Sequence, residues 1–176
     1  MHGLIHSELK KFIETRHGPE VWKTVLEEAG FGGKIYLSNT PYADQETTAI
    51  VSAASRITST PASDLLENFG EFIAPALMST YRSMIKPGWK TMEMLLNTEG
   101  TIHRGVRVKS PGAQPPCLKF KQTGRNTLRF NYNSWCQMSA VAKGIIKGVA
   151  KHYGETVEIK ERKGPAGSSE LSIKIS

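Results

Sequence analysis

The sequence predicts an α+β domain: a helical N-terminal part, then a four-stranded antiparallel sheet in the order ββ-α-ββ. Three observations predict it. Apolar residues recur at helical spacing through roughly the first hundred positions. From Cys117 onward, two pairs of short segments alternate apolar and polar at period two. A single stretch of helical period separates the two pairs. Helices and strands segregated in this way favour α+β packing, because an antiparallel sheet with one apolar face needs a helix laid against it.

The elements follow in order. Leu4, Ile5, Leu9, Phe12 and Ile13 make one helical stripe, ended near "HGPE". Val21, Trp22, Val25 and Leu26 make a second, closed by Gly30. Residues 44–57, "DQETTAIVSAASRI", read as a third helix with an acidic start. "STPASDLLENFGEFIAPALMSTYRSMI" is a long helical stretch that Pro75 should kink or divide, since proline removes a backbone donor. Residues 88–106 are helical by pattern, with Gly100 as their weak point. "SPGAQPP" is a stiff loop. "CLKFK" and "TLRFNY" form a hairpin with "QTGRN" as its turn. Met138, Val141, Ile145 and Val149 share one face of the next helix, closed by Gly154. "TVEIKE" and "ELSIKIS", joined by "RKGPAGSS", form a second hairpin.

The length of 176 residues suits one domain, or two small subdomains. No apolar run reaches the roughly 18 residues of a membrane span. Charges and histidines interrupt the N-terminal apolar pattern, so it is not a secretory signal. Cys117 and Cys136 are too few for a disulfide scaffold, and a reducing cytoplasm is the expected location. The net charge of +7 is unevenly placed. Residues 1–99 carry 9 basic and 12 acidic side chains, whereas residues 100–154 carry 10 basic and no acidic ones. That segment is either a solvated basic face or a surface for an anionic ligand, an acidic partner protein or nucleic acid.

No Ser-His-Asp or Cys-His spacing and no phosphate-binding glycine loop stands out, so no enzyme activity is expected. Two features remain. His103 lies late in a helix, just before the basic segment, with Ile102 and Val106 as apolar neighbours. Tyr132, Ser134 and Cys136 occupy every second position where a strand runs into a helix, and would point one way on an extended backbone.

These pieces, taken with their spacing, resemble the haem nitric oxide/oxygen-binding (H-NOX, or HNOB) family, which includes the sensor domain of soluble guanylate cyclase. "MHGLI" is similar to the family's M-x-G-x-I start. His103 falls at the family's proximal haem ligand. "GAQPP", nine residues later, resembles the Gly-Ala-Thr-Pro-Pro loop. Tyr132, twenty-nine residues after His103, begins a segment similar to the family's Tyr-x-Ser-x-Arg motif, with Cys136 at the arginine position. The resemblance covers the whole chain. It implies a single domain, 1–176, with an N-terminal helical subdomain of about 1–62 and haem-binding helices plus sheet over about 63–176.

The resemblance further implies haem b (iron protoporphyrin IX) between the two parts, held by His103 as axial ligand. Tyr132 and Ser134 would donate to the propionates, while a Cys136 thiol cannot replace a guanidinium. Arg129, Arg125 or Lys121 could supply the missing cation. Ile5, Leu9, Ile73, Leu77, Pro116, Val141 and Ile145 would line the pocket. Val141 stands where oxygen-binding members place a tyrosine, so NO and CO are the expected gas ligands. A stand-alone sensor of the bacterial type is implied, acting on a separate signalling protein such as a histidine kinase or a cyclic-di-GMP enzyme; nucleic acid and membrane are not expected partners. The other readings are a fragment of a longer protein, or a haem-poor or haem-free H-NOX-like module that uses its basic face or Cys136 for partner binding or redox sensing.

Overall fold

The computed structural model describes residues 3–109, 115–132, 138–164 and 168–176. Helix α1 (Gly3–His17) begins with a glycine for a steric reason. A Cβ on Gly3 would lie 1.9 Å from the Leu37 carbonyl oxygen, and the Gly3 amide donates to the Thr40 carbonyl at 2.8 Å. Gly18, with φ of 94°, turns the chain into α2 (Pro19–Glu28), whose first-turn proline needs no donor. Helix α3 (Asp44–Thr58) starts on Asp44 and Glu46, which suit the positive end of the helix dipole. Leu9, Phe12, Ile13, Trp22, Val25 and Ile50 are buried together, so these helices share one core.

Helix α4 (Ala62–Thr80) corrects one expectation: it runs through Pro75 without dividing. Proline costs a bond to the carbonyl four residues earlier, here that of Glu71. Tertiary packing outweighs that cost. Helix α7 (Ser139–His152) lies against α4, with Gly70, Gly144 and Gly148 at the crossing. A Cβ on Gly148 would sit 2.9 Å from the Glu71 oxygen, so the glycine backbone itself covers that carbonyl.

After α4 come a short 3₁₀ turn (Arg82–Met84), α5 (Thr91–Leu96), a π-helical segment (Thr98–His103) and α6 (Arg104–Lys109). Gly100 therefore does not break the helical path; it falls within the wider π turn. Strands β1 (Phe120–Gly124) and β2 (Thr127–Tyr132) form the first hairpin, with a register shift between Gln122 and Gly124. Its turn is shorter than expected: Gln122–Gly124 of "QTGRN" continue the strand, leaving Arg125 and Asn126 to reverse the chain. Strands β3 (Val157–Lys163) and β4 (Ser169–Ile175) form the second hairpin. All pairings are antiparallel and the order is β1-β2-β4-β3, so the hairpins join along β2 and β4. The predicted α+β class and four-stranded sheet are both present. Among the described residues, no helix is long and apolar enough to cross a membrane.

The lysines of α7 find their carboxylates on other elements. Lys147 Nζ lies 2.5 Å from Glu67, and Lys143 bridges Glu67 at 3.3 Å and Glu161 at 3.1 Å. Burial pushes the Glu67 carboxyl up, but the bonds and charge of Lys147 and Lys143 outweigh it and hold the group below its ordinary 4.5. A carboxyl depressed in the folded state stabilises above its unfolded value, and that contribution is lost as pH falls through the folded one. The free energy of unfolding, measured by urea titration, should therefore fall as pH drops below 4.5, and Glu67→Gln should flatten that fall.

Candidate functional site

The site begins with the π-helical segment, a distortion found disproportionately where helices carry function. His103 ends it, with 14% of its side chain exposed. Glu99 lies 3.1 Å from His103 Nδ1 through Oε2. The same carboxylate accepts the Leu118 backbone N–H at 3.1 Å and, through Oε1, an Arg107 N–H at 2.7 Å. Burial pushes the Glu99 carboxyl up, yet these donors together hold it below its ordinary value. It is ionised at neutral pH and can only accept. His103 Nδ1 must then carry the proton. Burial lowers the affinity of the His103 ring for a second proton, more than Glu99 and the backbone of Pro116 raise it. The ring is a neutral imidazole, and the tautomer fixed by Glu99 leaves a lone pair on Nε2.

The predicted pocket residues gather on the other elements. Leu9, Ile73 and Val141 are buried in one apolar cluster, with Ile5, Leu77 and Ile145 packed against it. Ile145 also packs against a second cluster that contains Ile102, the neighbour of His103. Pro116 is exposed, and its backbone lies near enough to His103 to favour the protonated ring. Tyr132 is buried at the end of β2, opposite Ser169, in the cluster formed with Leu128, Phe130 and Ile146. Ser134 and Cys136 lie outside the described residues. Two open grooves flank α4, around Pro75 and His152 and around Trp89 and Tyr153; neither includes a predicted site residue.

The suggested substitutes for the missing arginine are placed elsewhere. Lys121 and Arg129 are partners in the β1–β2 register and share the exposed face of the sheet, opposite the face that buries Leu128, Phe130 and Tyr132. Arg129 there lies 3.8 Å from Glu170. Arg125 is in the turn, at the far end of the hairpin from Tyr132. Alternation on a strand decides this: positions 129 and 132 differ by an odd number and face opposite ways.

A family model described as Haem-NO-binding (HNOB) matches residues 2–161. The chain belongs to this family. Among curated HNOB relatives, the soluble guanylate cyclases gcy-32 and gcy-37 of Caenorhabditis elegans are 24% identical over 156 residues and 26% over 161. Each match covers 86% of this chain but 23% and 22% of the relative, so the chain spans less than a quarter of their length. Among solved structures, an H-NOX protein from S. oneidensis in the Fe(II)NO ligation state superimposes with a TM-score of 0.92 at 22% identity, covering 100% of this chain and 99% of the other. An unliganded Fe(II) H-NOX protein from K. algicida gives 0.90 at 22%, covering 100% and 97%. The H-NOX fold is thus shared along the full length.

The residues present fit a haem. His103 would offer one neutral imidazole, held at Nδ1 by Glu99, and the macrocycle would supply the remaining nitrogens. The neighbour of His103, Ile102, packs with Met78 of α4 and with Val149 and Ile145 of α7. Sequence reasoning singled out His103 but not Glu99. The signal was there: Glu99 precedes His103 by four positions, a spacing that brings side chains together on a helix.

Proposed function

We propose that this chain is a haem-based gas sensor that binds NO and CO, disfavours oxygen, and signals to a separate protein by a conformational change rather than by catalysis. The observation that carries this reading is the neutral His103, half-buried and oriented through Nδ1 by Glu99, within a chain of the HNOB family. When bound, the haem would supply a ferrous iron able to take a diatomic gas. The chain's residues do the rest. His103 offers Nε2. Tyr132 and Ser134 offer hydroxyls to the propionates. Ile5, Leu9, Ile73, Leu77, Val141 and Ile145 exclude water from the gas side and present no hydrogen-bond donor there. Oxygen, which becomes polar on binding, needs such a donor far more than NO or CO does. The Leu118 amide on Glu99 gives His103 a direct tie to the segment entering β1, so a shift of His103 acts on the sheet.

A second reading rests on Cys136, which stands at the family's arginine position. Loss of one charge-assisted bond would cost roughly 1.5–3 kcal/mol of haem affinity. A module that holds haem poorly would then work through its basic face or this thiol. Absorption spectra of purified, haem-supplied protein separate the two. A Soret band that shifts with NO and CO but not with oxygen is the expected result. A Soret band absent from both the wild type and Cys136→Arg would sink the sensor reading.

A further inference from the structure

We propose that Glu99 is a positioning residue for His103: its carboxylate fixes the Nδ1–H tautomer and makes Nε2 a stronger electron donor to iron than an imidazole without a charged partner. The inference rests on the sensor reading above and names the group that tunes it.

The geometry is specific. Glu99 Oε2 faces His103 Nδ1 at 3.1 Å, on the same chain and within one distorted helical turn. Both carboxylate oxygens are engaged: Oε2 also takes the Leu118 amide, and Oε1 takes Arg107. Both anchors follow Glu99 in sequence, one from α6 and one from the lead into β1. They restrain the carboxylate from rotating away from the ring. With 27% of its side chain exposed, the Glu99 carboxylate is partly shielded from water, so its field at the imidazole is only partly screened. A carboxylate behind a metal-bound histidine raises the basicity of that ligand and sets its orientation, and removing such partners typically costs roughly 10–100-fold in metal affinity or activity.

The test compares wild type with Glu99→Gln and Glu99→Ala. Glutamine keeps an acceptor for Nδ1–H and for Leu118 but removes the charge; alanine removes both. In the haem-loaded ferrous proteins, resonance Raman reads the iron–histidine stretch directly. It should move to lower frequency in Glu99→Gln and further in Glu99→Ala. In the haem-free proteins, ¹⁵N NMR of the His103 ring should report an Nδ1-protonated tautomer in the wild type and a mixed population in Glu99→Ala. An iron–histidine stretch unchanged across the Glu99 variants, in proteins that carry a normal Soret band, would overturn this inference alone. A wild type with no Soret band would overturn the sensor reading and this inference with it.

Discussion

Replacing His103 with glycine is expected to remove haem from the protein, and added imidazole to restore it. His103 follows Ile102, which packs in one cluster with Met78 of α4 and Val149 of α7. Loss of an axial ligand should exceed the roughly 10–100-fold that outer-shell partners cost. Two quantities separate loss of the ligand from loss of the fold. Circular dichroism should keep its helical signal, because the glycine costs only about 1 kcal/mol within a helix and the side chain is not part of a packed core layer. Exogenous imidazole should enter the space left by the ring, where the Glu99 carboxylate can still accept its N–H, and return the Soret band. Full retention of haem by His103→Gly without imidazole would show that iron is held by another residue.

The second large effect concerns the scaffold. Gly144→Ala should destabilise the protein by about 3 kcal/mol. A Cβ at this position would lie 1.9 Å from the Glu67 carbonyl oxygen and 2.8 Å from both the Glu71 nitrogen and the Gly70 Cα. All three are backbone atoms, so the methyl cannot be accommodated by turning a side chain; α4 and α7 must separate. Alanine gains about 1 kcal/mol over glycine in a helix, which is too small to offset that separation. In a chain of this size the net loss corresponds to a melting temperature lower by roughly 6–12 °C. Gly100→Ala provides the control. A Cβ there meets nothing within 4 Å, so the propensity gain stands alone and the variant should match or exceed the wild type. If both variants melted together, close packing of α4 on α7 would not be what the glycine provides. Because Val141 and Ile145 lie on α7 and Ile73 and Leu77 on α4, a separated pair should also widen the proposed gas side of the site.

Much of this architecture is legible along the chain, because periodicity is a local property. Asp44–Thr58 and Ser139–His152 follow from apolar spacing, and the four strands from alternation. The departures share one cause. Pro75 was expected to interrupt a helix, but the cost of its missing donor is outweighed by contacts that α4 makes with α7, eighty residues away along the chain. The strand limits of the first hairpin were off because Gln122–Gly124 contain turn-forming residues that β2 nonetheless pairs. In the site, His103 was visible from its place among spaced motifs. Glu99 was not singled out, since a glutamate on a helix is most often a solvated residue and only its contacts with Leu118 and Arg107 set it apart.

The sequence by itself determined the order of helices and strands, the α+β class, the position of His103 and a segment of 10 cations without a carboxylate. Only the tertiary structure decided how that charge is used. Lys143, Lys147 and Lys151 lie against Glu67 and Glu71 of α4, so part of the apparent basic face is ion-paired within the fold. Likewise, only the structure decided that Lys121 pairs with Arg129 across the first hairpin, and that Glu99 receives three donors at once. The physical reason is the same for each. Secondary structure follows from interactions a few residues apart, which spacing records, whereas charge pairing and hydrogen bonding join groups brought together by packing, and no local pattern records which helix face will meet which.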